Sequence, residues 1–265
     1  MIEVLAPGPA AFVEDLGRPG CAGLGVGRSG AADRGALVRA NLLLGNPPGA
    51  AGIEVTLGGL RVRLTSDHVV ALTGAPAPAT LAGVPVTTDA LLRARPGDVL
   101  ELGLPRRGLR TYLAVRGGVD VPPVLGSRSW DVLASLGPAP LRAGDVLAVA
   151  RPHGAGPVAD RSIPVGRELE LAESDADEVP AVVEVVPGLR GDWFAGGASE
   201  SLLRRPYRVT QDSNRVALRL DGPTVPRTER GSTPPKGWCG EQSRCRRPGV
   251  RSSSWPTIRS RAATR

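Results

Sequence analysis

The chain has 265 residues, enough for one large domain or two small ones, and a formal net charge of +7. Residues 232–265 carry eight basic residues and one acidic residue, whereas residues 1–231 carry 25 of each sign, so the basic excess lies outside the body of the chain. We therefore expect no nucleic-acid partner.

No apolar run reaches the roughly 18 residues of a membrane span, and no signal peptide is visible. Because residues 1–231 contain a single cysteine, Cys21, we expect a cytoplasmic protein without a membrane partner.

One amphipathic helix is predicted near residues 31–44. Its apolar face has helical spacing and consists of Ala36, Leu37, Ala40, Leu43 and Leu44. Ser29 or Asp33 can cap its start, and Gly45, followed by a nearby proline, ends it. The preceding Gly25–Gly30 matches the G-x-G-x-x-G pattern of dinucleotide sites. Because no buried strand leads into it and no βαβ unit follows, we interpret it as a glycine-rich turn.

Short β-rich runs separated by turn signals predict a mainly β fold. The clearest runs are 52–57, 60–65, 68–74 and 110–115. Two similar stretches, RARPGDVLEL (93–102) and LRAGDVLAV (141–149), place a glycine at the second central position of a type II turn, before an apolar strand. We interpret them as like hairpins of two related β-subdomains, in a barrel or a sandwich.

A polar stretch rich in proline and glycine follows at 152–180 and is typical of a surface linker. A strand is predicted after it, at 182–188. We therefore expect one domain over residues 1–231, built from two β-subdomains that this linker joins.

The densest group of polar residues lies within the first 54 positions. Its members are Asp15, Arg18, Ser29, Asp33, Asn41, Asn46 and Glu54. Carboxylates beside an arginine suit proton transfer and the binding of an acidic or amide substrate. The same residues also suit structural roles, because Asp33 can cap the helix, Asn46 can form a turn and Arg18 can pair with Asp15. Both interpretations stay open on spacing alone.

Other catalytic and metal patterns are weak. Lys236 is the only lysine, and it is followed by glycine instead of the Ser or Thr of a Walker A loop. His68 and His153 stand alone, and the Cys239 and Cys245 pair has no histidine nearby, so we expect no metal site. For lack of a suitable lysine, any biotin must be attached to another polypeptide.

A set of motifs runs along most of the chain. The first block, EDLGRPG followed by GLGVGRSGAADRGALVRANLLLGNPPGAAGIEVTLGG, is the most specific. Further motifs are VVALTGA (69–75), YLAVRGGVDVPPVLGSRS (112–129), LRAGDVL (141–147), VVPGLRGDWF (185–194) and YRVTQDSNRVALRLDGP (207–223). Over about residues 1–230 the chain strongly resembles the carboxyltransferase-type family. Members of that family are called the C subunit of bacterial 5-oxoprolinase, allophanate hydrolase subunit 2 or biotin-dependent carboxyltransferase.

The resemblance implies cyclophilin-like β-barrel subdomains and a role in an enzyme complex. One implied activity is the ATP-dependent opening of the 5-oxoproline lactam to glutamate; the other is a related biotin-dependent carboxyltransferase or allophanate hydrolase-type reaction. Sister subunits would be the partners, a small amide or carboxylated molecule the substrate, and ATP would act through the complex. The alternative is a non-catalytic regulatory partner of a sister subunit, of the type that antagonises kinase inhibitors.

Under this resemblance the polar residues receive roles. The candidate catalytic residues are Asp15 and Arg18, to bind or polarise the substrate, and Asp33 and Glu54, to transfer protons. The candidate substrate-binding residues are Ser29, Gly30, Asn41, Asn46 and Arg215. Ser29 and the start of the helix would hold an anionic group.

Residues from about 232 onward do not continue the family pattern, which would add apolar strands and a Thr-Gly-Gly-Tyr-Pro ending. The body contains 25 arginines and no lysine, which is typical of GC-rich coding. With GC-rich synonymous codons, a displaced frame of the tail gives VVRGAVQVPPAGRPVVLLADHPVTGGY. We interpret residues 232–265 as a frameshift-derived, disordered tail on a domain incomplete at its C-terminus. Missing strands would leave sheet edges uncovered and would impair stability and activity.

Overall fold

A computed structural model describes residues 1–152 and, beyond them, residues 182, 185, 194–213, 215, 218–225 and 228. The chain divides into two compact units, Met1–Glu170 and Leu171–Arg265, and this boundary falls inside the predicted linker. Most of that linker, the predicted strand at 182–188 apart from two residues, and the predicted tail at 232–265 lie outside the described residues.

The first unit is built mainly from strands, as predicted. In chain order its elements are β1 (Ile2–Pro7), β2 (Ala10–Glu14), a 3-10 helix (Cys21–Leu24), α1 (Arg34–Leu43), β3 (Gly52–Thr56), β4 (Leu60–Leu64), β5 (His68–Gly74), β6 (Ala79–Leu81), β7 (Val84–Val86), β8 (Ala90–Ala94), β9 (Val99–Leu102), β10 (Arg110–Val115), β11 (Val119–Asp120) and β12 (Val146–Val149). The four clearest β-rich runs of the sequence are β3, β4, β5 and β10, each within one residue of its predicted bounds.

The described part of the second unit contains helix α2 (Ala198–Arg204), which was not predicted from the sequence, and a two-stranded antiparallel sheet. The strands of that sheet are β13 (Arg208–Val209) and β14 (Leu220–Asp221). No helix among the described residues combines the length and apolar character needed to cross a bilayer.

Two antiparallel sheets form the first unit. The first sheet has the strand order β11-β12-β1-β4-β9-β6-β7, and the second sheet has the order β2-β3-β10-β5-β8. Each strand pairing between the described residues is antiparallel. The parallel βαβ context of a dinucleotide site is therefore missing there, which agrees with the interpretation of Gly25–Gly30 as a turn.

The main hydrophobic core combines one face of each sheet. Alternate residues along a strand point to opposite faces, so Ile53 and Val55 of β3 enter the core together with Val62 and Leu64 of β4. All four side chains are fully buried. Each contributes roughly 1.5–3 kcal/mol relative to an exposed position, so this core holds the two sheets together.

Helix α1 covers the other face of the second sheet. Its buried Ala40 and Leu43 pack against Ala71 and Ala114, which alternate with the core residues of their strands. The predicted helix near 31–44 is confirmed as Arg34–Leu43, and Asp33 caps it by accepting a hydrogen bond from the Ala36 amide. The second sheet is therefore buried on both faces, and its outer face holds polar groups beneath the helix.

The two repeated turns are confirmed, but the hairpins inferred from them are wrong. Gly97 and Gly144 have φ values of 91° and 92°, the left-handed conformation that the turn requires. The first turn passes the chain from β8 in the second sheet to β9 in the first sheet, and β12 pairs with β1 and β11. The turns are therefore corners of a single unit, and they do not mark two separate subdomains.

The repeat instead marks equivalent contacts on neighbouring strands. The Gly97 amide donates to the Leu64 carbonyl of β4 (2.7 Å), and the Gly144 amide donates to the Val4 carbonyl of β1 (2.8 Å). In return, the Leu64 amide donates to the Asp98 carbonyl, and the Val4 amide donates to the Asp145 carbonyl. The similar sequences are explained by this shared docking.

Candidate functional site

The candidate site begins with two facing residues of the second sheet. Glu54 of β3 lies directly opposite Tyr112 of β10 in the strand register. Because their neighbours Ile53 and Leu113 enter the core, Glu54 and Tyr112 point to the outer face, where the chain approaches α1. Both side chains are fully buried.

The Glu54 carboxylate accepts hydrogen bonds from three residues in two parts of the chain. Its Oε2 accepts hydrogen bonds from the Ala32 amide and the Tyr112 hydroxyl, each at 2.8 Å. Its Oε1 accepts from Arg110 Nε at 3.1 Å. The Tyr112 hydroxyl in turn accepts from the Asp33 amide at 2.7 Å. The residues just before α1 are therefore anchored on the buried carboxylate.

The surroundings of Tyr112 keep its hydroxyl protonated. Burial is the larger cause that raises the pKa of Tyr112 above the ordinary value of 10.0, and the negative charge of Glu54 raises it further. The Tyr112 hydroxyl is therefore a permanent donor to Glu54 at neutral pH. It acts as a rigid link in the site, and it is unsuited to act as a base.

An open pocket of about 240 Å³ lies beside this network. It is lined by Ala32, Asp33, Ala75, Gly108, Leu109 and Arg110. Asp33 is exposed, and its Oδ1 caps α1 at 2.9 Å from the Ala36 amide. The Arg110 side chain is 18% exposed, while the Glu54 side chain behind it is completely covered. The lining of the pocket thus includes one acidic and one basic residue.

Arg110 was missed as a candidate in the sequence. It stands two residues before Tyr112 on β10, so it shares the outer face with Tyr112 and Glu54. The alternation of inward and outward side chains along β10 places Arg110 on the same face as Tyr112. It points to Glu54 only when the pairing of β10 with β3 is known.

Asp15 lies in a separate buried network. Its Oδ1 accepts from the Gly17 amide and the Ser127 hydroxyl, both at 2.7 Å, and its Oδ2 accepts from the Arg128 amide at 2.6 Å. Asp15 therefore ties the loop that follows β2 to the loop around residue 127.

Arg18 strengthens the same junction. It is fully buried and donates to the Ser29 hydroxyl at 2.6 Å and to the carbonyls of Val124 and Ser129. Its Nη1 also lies 3.9 Å from Asp131 Oδ2. Through these contacts the Arg18 guanidinium holds two loops together, and it is not accessible to solvent.

Gly30 is required where these loops cross. It has a φ of 87°, and a Cβ placed there would lie 2.6 Å from the Gly17 amide nitrogen. The next residue, Ala31, donates its amide to the Asp15 carbonyl at 2.8 Å. The loop crossing therefore lies immediately before residues 32 and 33, which contact Glu54 and Tyr112.

Asn41 and Asn46 lie towards the other end of α1. Asn46 Nδ2 donates to Asn41 Oδ1 (3.1 Å) and to the Val115 carbonyl (2.8 Å), and its Oδ1 accepts from the Gly117 amide (2.8 Å). Asn41 Nδ2 donates to the Ala50 carbonyl (2.8 Å). At 1.5 Å per residue, Asn41 is about 12 Å along the helix from Asp33. These amides hold the turn after α1.

The structure therefore divides the predicted site residues among four places. Asp33 lines the pocket, with Glu54 buried beside it. Asp15, Arg18, Ser29 and Gly30 lie in the loop junction, whereas Asn41 lies in the last part of α1 and Asn46 in the turn that follows it. Arg215 belongs to the second unit, where it is half-buried. An anion at the start of α1 would meet the Asp33 carboxylate, which already occupies that position. Among the described residues no cluster of three or more His, Cys, Asp or Glu could hold a metal ion.

Comparisons with known proteins point to one family. A family model described as carboxyltransferase domain, subdomain A and B, matches residues 24–238. The chain is 33% identical over 238 residues to the C subunit of 5-oxoprolinase from Escherichia coli, in a match that covers 86% of this chain and 71% of that protein. It is also 33% identical over 234 residues to the urea amidolyase of Lachancea kluyveri, covering 83% of this chain but only 12% of that protein.

A solved structure gives the same result in three dimensions. The urea carboxylase of Kluyveromyces lactis matches with a TM-score of 0.74 and 30% sequence identity. The match covers 86% of this chain and 21% of that protein, so the chain spans a small part of this relative.

Replacing Arg18 with methionine should lower the free energy of unfolding by about 3–5 kcal/mol, because the Val124 and Ser129 carbonyls lose their donor and Asp131 loses a nearby buried cation. The control is Arg61→Met, which removes the exposed Arg61–Glu101 ion pair and should cost about 1 kcal/mol or less. Urea unfolding followed by circular dichroism measures both. Equal losses in the two variants would contradict the structural role of Arg18.

Tyr112 should stay protonated in the folded protein well above pH 10. Tyr112 and Tyr207 are the only tyrosines, so a Tyr207→Phe variant reports on Tyr112 alone. Because the folded state keeps a proton that the unfolded state loses, stability should fall as pH rises above about 10. Tyrosinate absorbance should appear only together with unfolding. An ordinary titration of Tyr112 while the protein is still folded would refute this assignment.

Proposed function

This chain belongs to the carboxyltransferase domain family with subdomains A and B, and from this premise we propose that it is a subunit of an ATP-dependent 5-oxoprolinase. In such a complex the lactam of 5-oxoproline is opened to glutamate. The support from the comparisons is the similarity to the C subunit of 5-oxoprolinase, which extends over 71% of that protein.

The observation that carries the proposal is the pocket between α1 and β10. Its lining includes the exposed Asp33 and Arg110, whose side chain is 18% exposed, together with the apolar residues Ala75 and Leu109. Its volume of about 240 Å³ is below the roughly 300–1,000 Å³ typical of pockets for drug-sized ligands. A small, polar amide substrate suits this combination of size and charge.

We assign separate tasks to the residues of this pocket. Asp33 is accessible and can accept or return a proton on a bound substrate. Glu54 is too deeply buried to reach a substrate itself, so its task is to anchor Arg110 and the residues before α1. Tyr112, kept protonated, supports this anchor.

The nucleotide belongs elsewhere in the proposed complex. The residues of this pocket do not fit a nucleoside triphosphate, because the Asp33 carboxylate occupies the start of α1 and would repel phosphate groups. The glycine-rich stretch at 25–30 also lacks the lysine of a Walker A loop. We therefore propose that ATP is bound by a sister subunit, in a cytoplasmic complex, and we derive no step of this chain through it.

The proposal is tested by reconstitution. The full chain is combined with its sister subunits, 5-oxoproline and ATP, and glutamate is measured. Glutamate formation should require this chain, and Asp33→Asn should reduce turnover at least about 100-fold if Asp33 transfers a proton. Asparagine is a good helix cap, so this variant removes the charge while keeping α1 intact.

The matched control is Arg61→Met on the far sheet, which should leave turnover unchanged. Glutamate formation at the same rate without this chain would refute the proposal. If this chain altered only the activity of a sister subunit, the non-catalytic regulatory alternative would replace it.

A second candidate is carboxyl transfer from carboxybiotin. It is favoured by the similarity to urea amidolyase and urea carboxylase, whose names denote enzymes acting on urea. Because Lys236 is the only lysine, we propose that biotin would be supplied by another chain.

Probing the purified chain with labelled streptavidin should therefore give no signal, whereas a biotinylated carrier protein run alongside should be detected. A biotin signal on this chain would show that the inference about the carrier is wrong. Transfer of a carboxyl group from such a carrier to urea, without glutamate formation, would favour this second candidate.

A further inference from the structure

Resting on the proposed function, we infer that Arg110 and Asp33 form a two-point recognition site for a small α-amido acid. Arg110 binds the carboxylate of the ligand, and Asp33 accepts a hydrogen bond from its N–H group. Glu54 is a positioning residue that holds the Arg110 guanidinium in place.

Arg110 is oriented and still has donors to offer. Its Nε is used by Glu54 at 3.1 Å, while within the described part of the chain its two terminal nitrogens donate to no acceptor. Arg110 lines the pocket, and its side chain is 18% exposed. A guanidinium fixed at one edge in this way presents a planar fork that matches the two oxygens of a carboxylate.

Asp33 supplies the second point of recognition. Its Oδ1 is occupied by the Ala36 amide, and no donor from the described residues contacts its Oδ2. Arg110 and Asp33 line the same pocket, yet these two described residues make no ion pair with each other. Two opposite charges that share a small pocket without pairing leave both groups available to one ligand.

The chemical class of the ligand follows from this arrangement. A carboxylate alone would satisfy Arg110 but would be repelled by Asp33, and a cation alone would be repelled by Arg110. An α-amido acid carries its N–H and its carboxylate on the same carbon atom, so it can satisfy both groups together. The apolar walls at Ala75 and Leu109 suit the methylene groups of a small ring.

The rim of the pocket favours an anionic ligand as well. Arg106 and Arg107 are both exposed on the loop that leads to β10, and the lining residues Gly108 and Leu109 follow them directly. These arginines attract negatively charged molecules towards the pocket without taking part in its two contacts.

Glu54 determines where the guanidinium lies. It is fully buried and accepts a hydrogen bond from Arg110 Nε, the guanidinium nitrogen that is bonded to the aliphatic part of the side chain. Glu54→Gln keeps the size of the side chain and an acceptor oxygen but removes the charge that strengthens this bond. The change should therefore weaken carboxylate binding through Arg110, with little effect on a ligand that lacks a carboxylate.

The experiment measures binding to the full chain by isothermal titration calorimetry, with 5-oxoproline, 2-pyrrolidinone and N-methyl-5-oxoproline as probes. The second probe lacks the carboxylate and the third lacks the N–H. We expect each analogue to bind wild-type protein at least about 10-fold more weakly than 5-oxoproline, the ratio that about 1.4 kcal/mol produces.

The variants assign each point of contact. Arg110→Ala should abolish the preference for 5-oxoproline over 2-pyrrolidinone, and Arg110→Lys, which keeps the charge without the fork, should retain only part of it. Asp33→Asn should abolish the preference over the N-methyl probe. The asparagine oxygen still caps α1, and the remaining amide nitrogen is a donor that cannot accept a hydrogen bond from the N–H group of the ligand. Arg61→Met, with its ion pair on the other sheet, is the control and should keep both preferences.

The role of Glu54 is separated by steady-state kinetics of the reconstituted complex. Glu54→Gln should raise KM for 5-oxoproline about 10-fold or more while kcat changes little, and Glu54→Asp should restore part of the loss. A fall in kcat with unchanged KM would overturn the positioning role. Thermal melting monitors the fold of each variant.

The two proposals fail in different ways. If wild-type chain binds 5-oxoproline and 2-pyrrolidinone equally, or if the folded chain shows no saturable binding of 5-oxoproline, the recognition site is refuted even when the complex forms glutamate. If both preferences are present but the complex forms no glutamate, the recognition site stands and the proposed 5-oxoprolinase function fails.

Discussion

The buried carboxylate of Glu54 is the group on which the geometry of the site depends. A charge removed from water is costly unless hydrogen bonds and an opposite charge compensate for it. Here the compensation comes from the Ala32 amide, the Tyr112 hydroxyl and Arg110 Nε. Because these donors belong to the entry of α1 and to β10, the carboxylate holds the two together.

Three consecutive amides connect this carboxylate to the rest of the first unit. The Ala31 amide donates to the Asp15 carbonyl, the Ala32 amide to Glu54 and the Asp33 amide to Tyr112. A short segment is thus fixed on one side by the loop junction and on the other by the second sheet. The rigid scaffold explains how an exposed carboxylate such as Asp33 can have a defined position in an otherwise irregular connection.

The division of labour among the charged residues follows from burial. Arg18 and Asp15 are covered and use their hydrogen-bonding groups on the protein itself, so they build the junction. Asp33 and Arg110 retain access to the pocket, so they can meet a ligand. The relatives include a protein named as a subunit and long enzymes of which this chain spans a small part.

The mainly β character, the four clearest strands, α1 with its cap, the two glycine turns and the family could all be predicted from the sequence alone. These features depend on local periodicity and on residues such as Gly97 and Gly144 whose backbone conformations are encoded within a few positions. Sequence spacing grouped Asp15, Arg18, Asn41 and Asn46 with Asp33 and Glu54 because they are close along the chain. Only the tertiary structure separated them, and only the pairing of β3 with β10 brought Arg110 to Glu54 across 56 positions. The physical reason is that strand pairing and burial are long-range properties, and they decide whether a charged side chain supports the protein or faces a ligand.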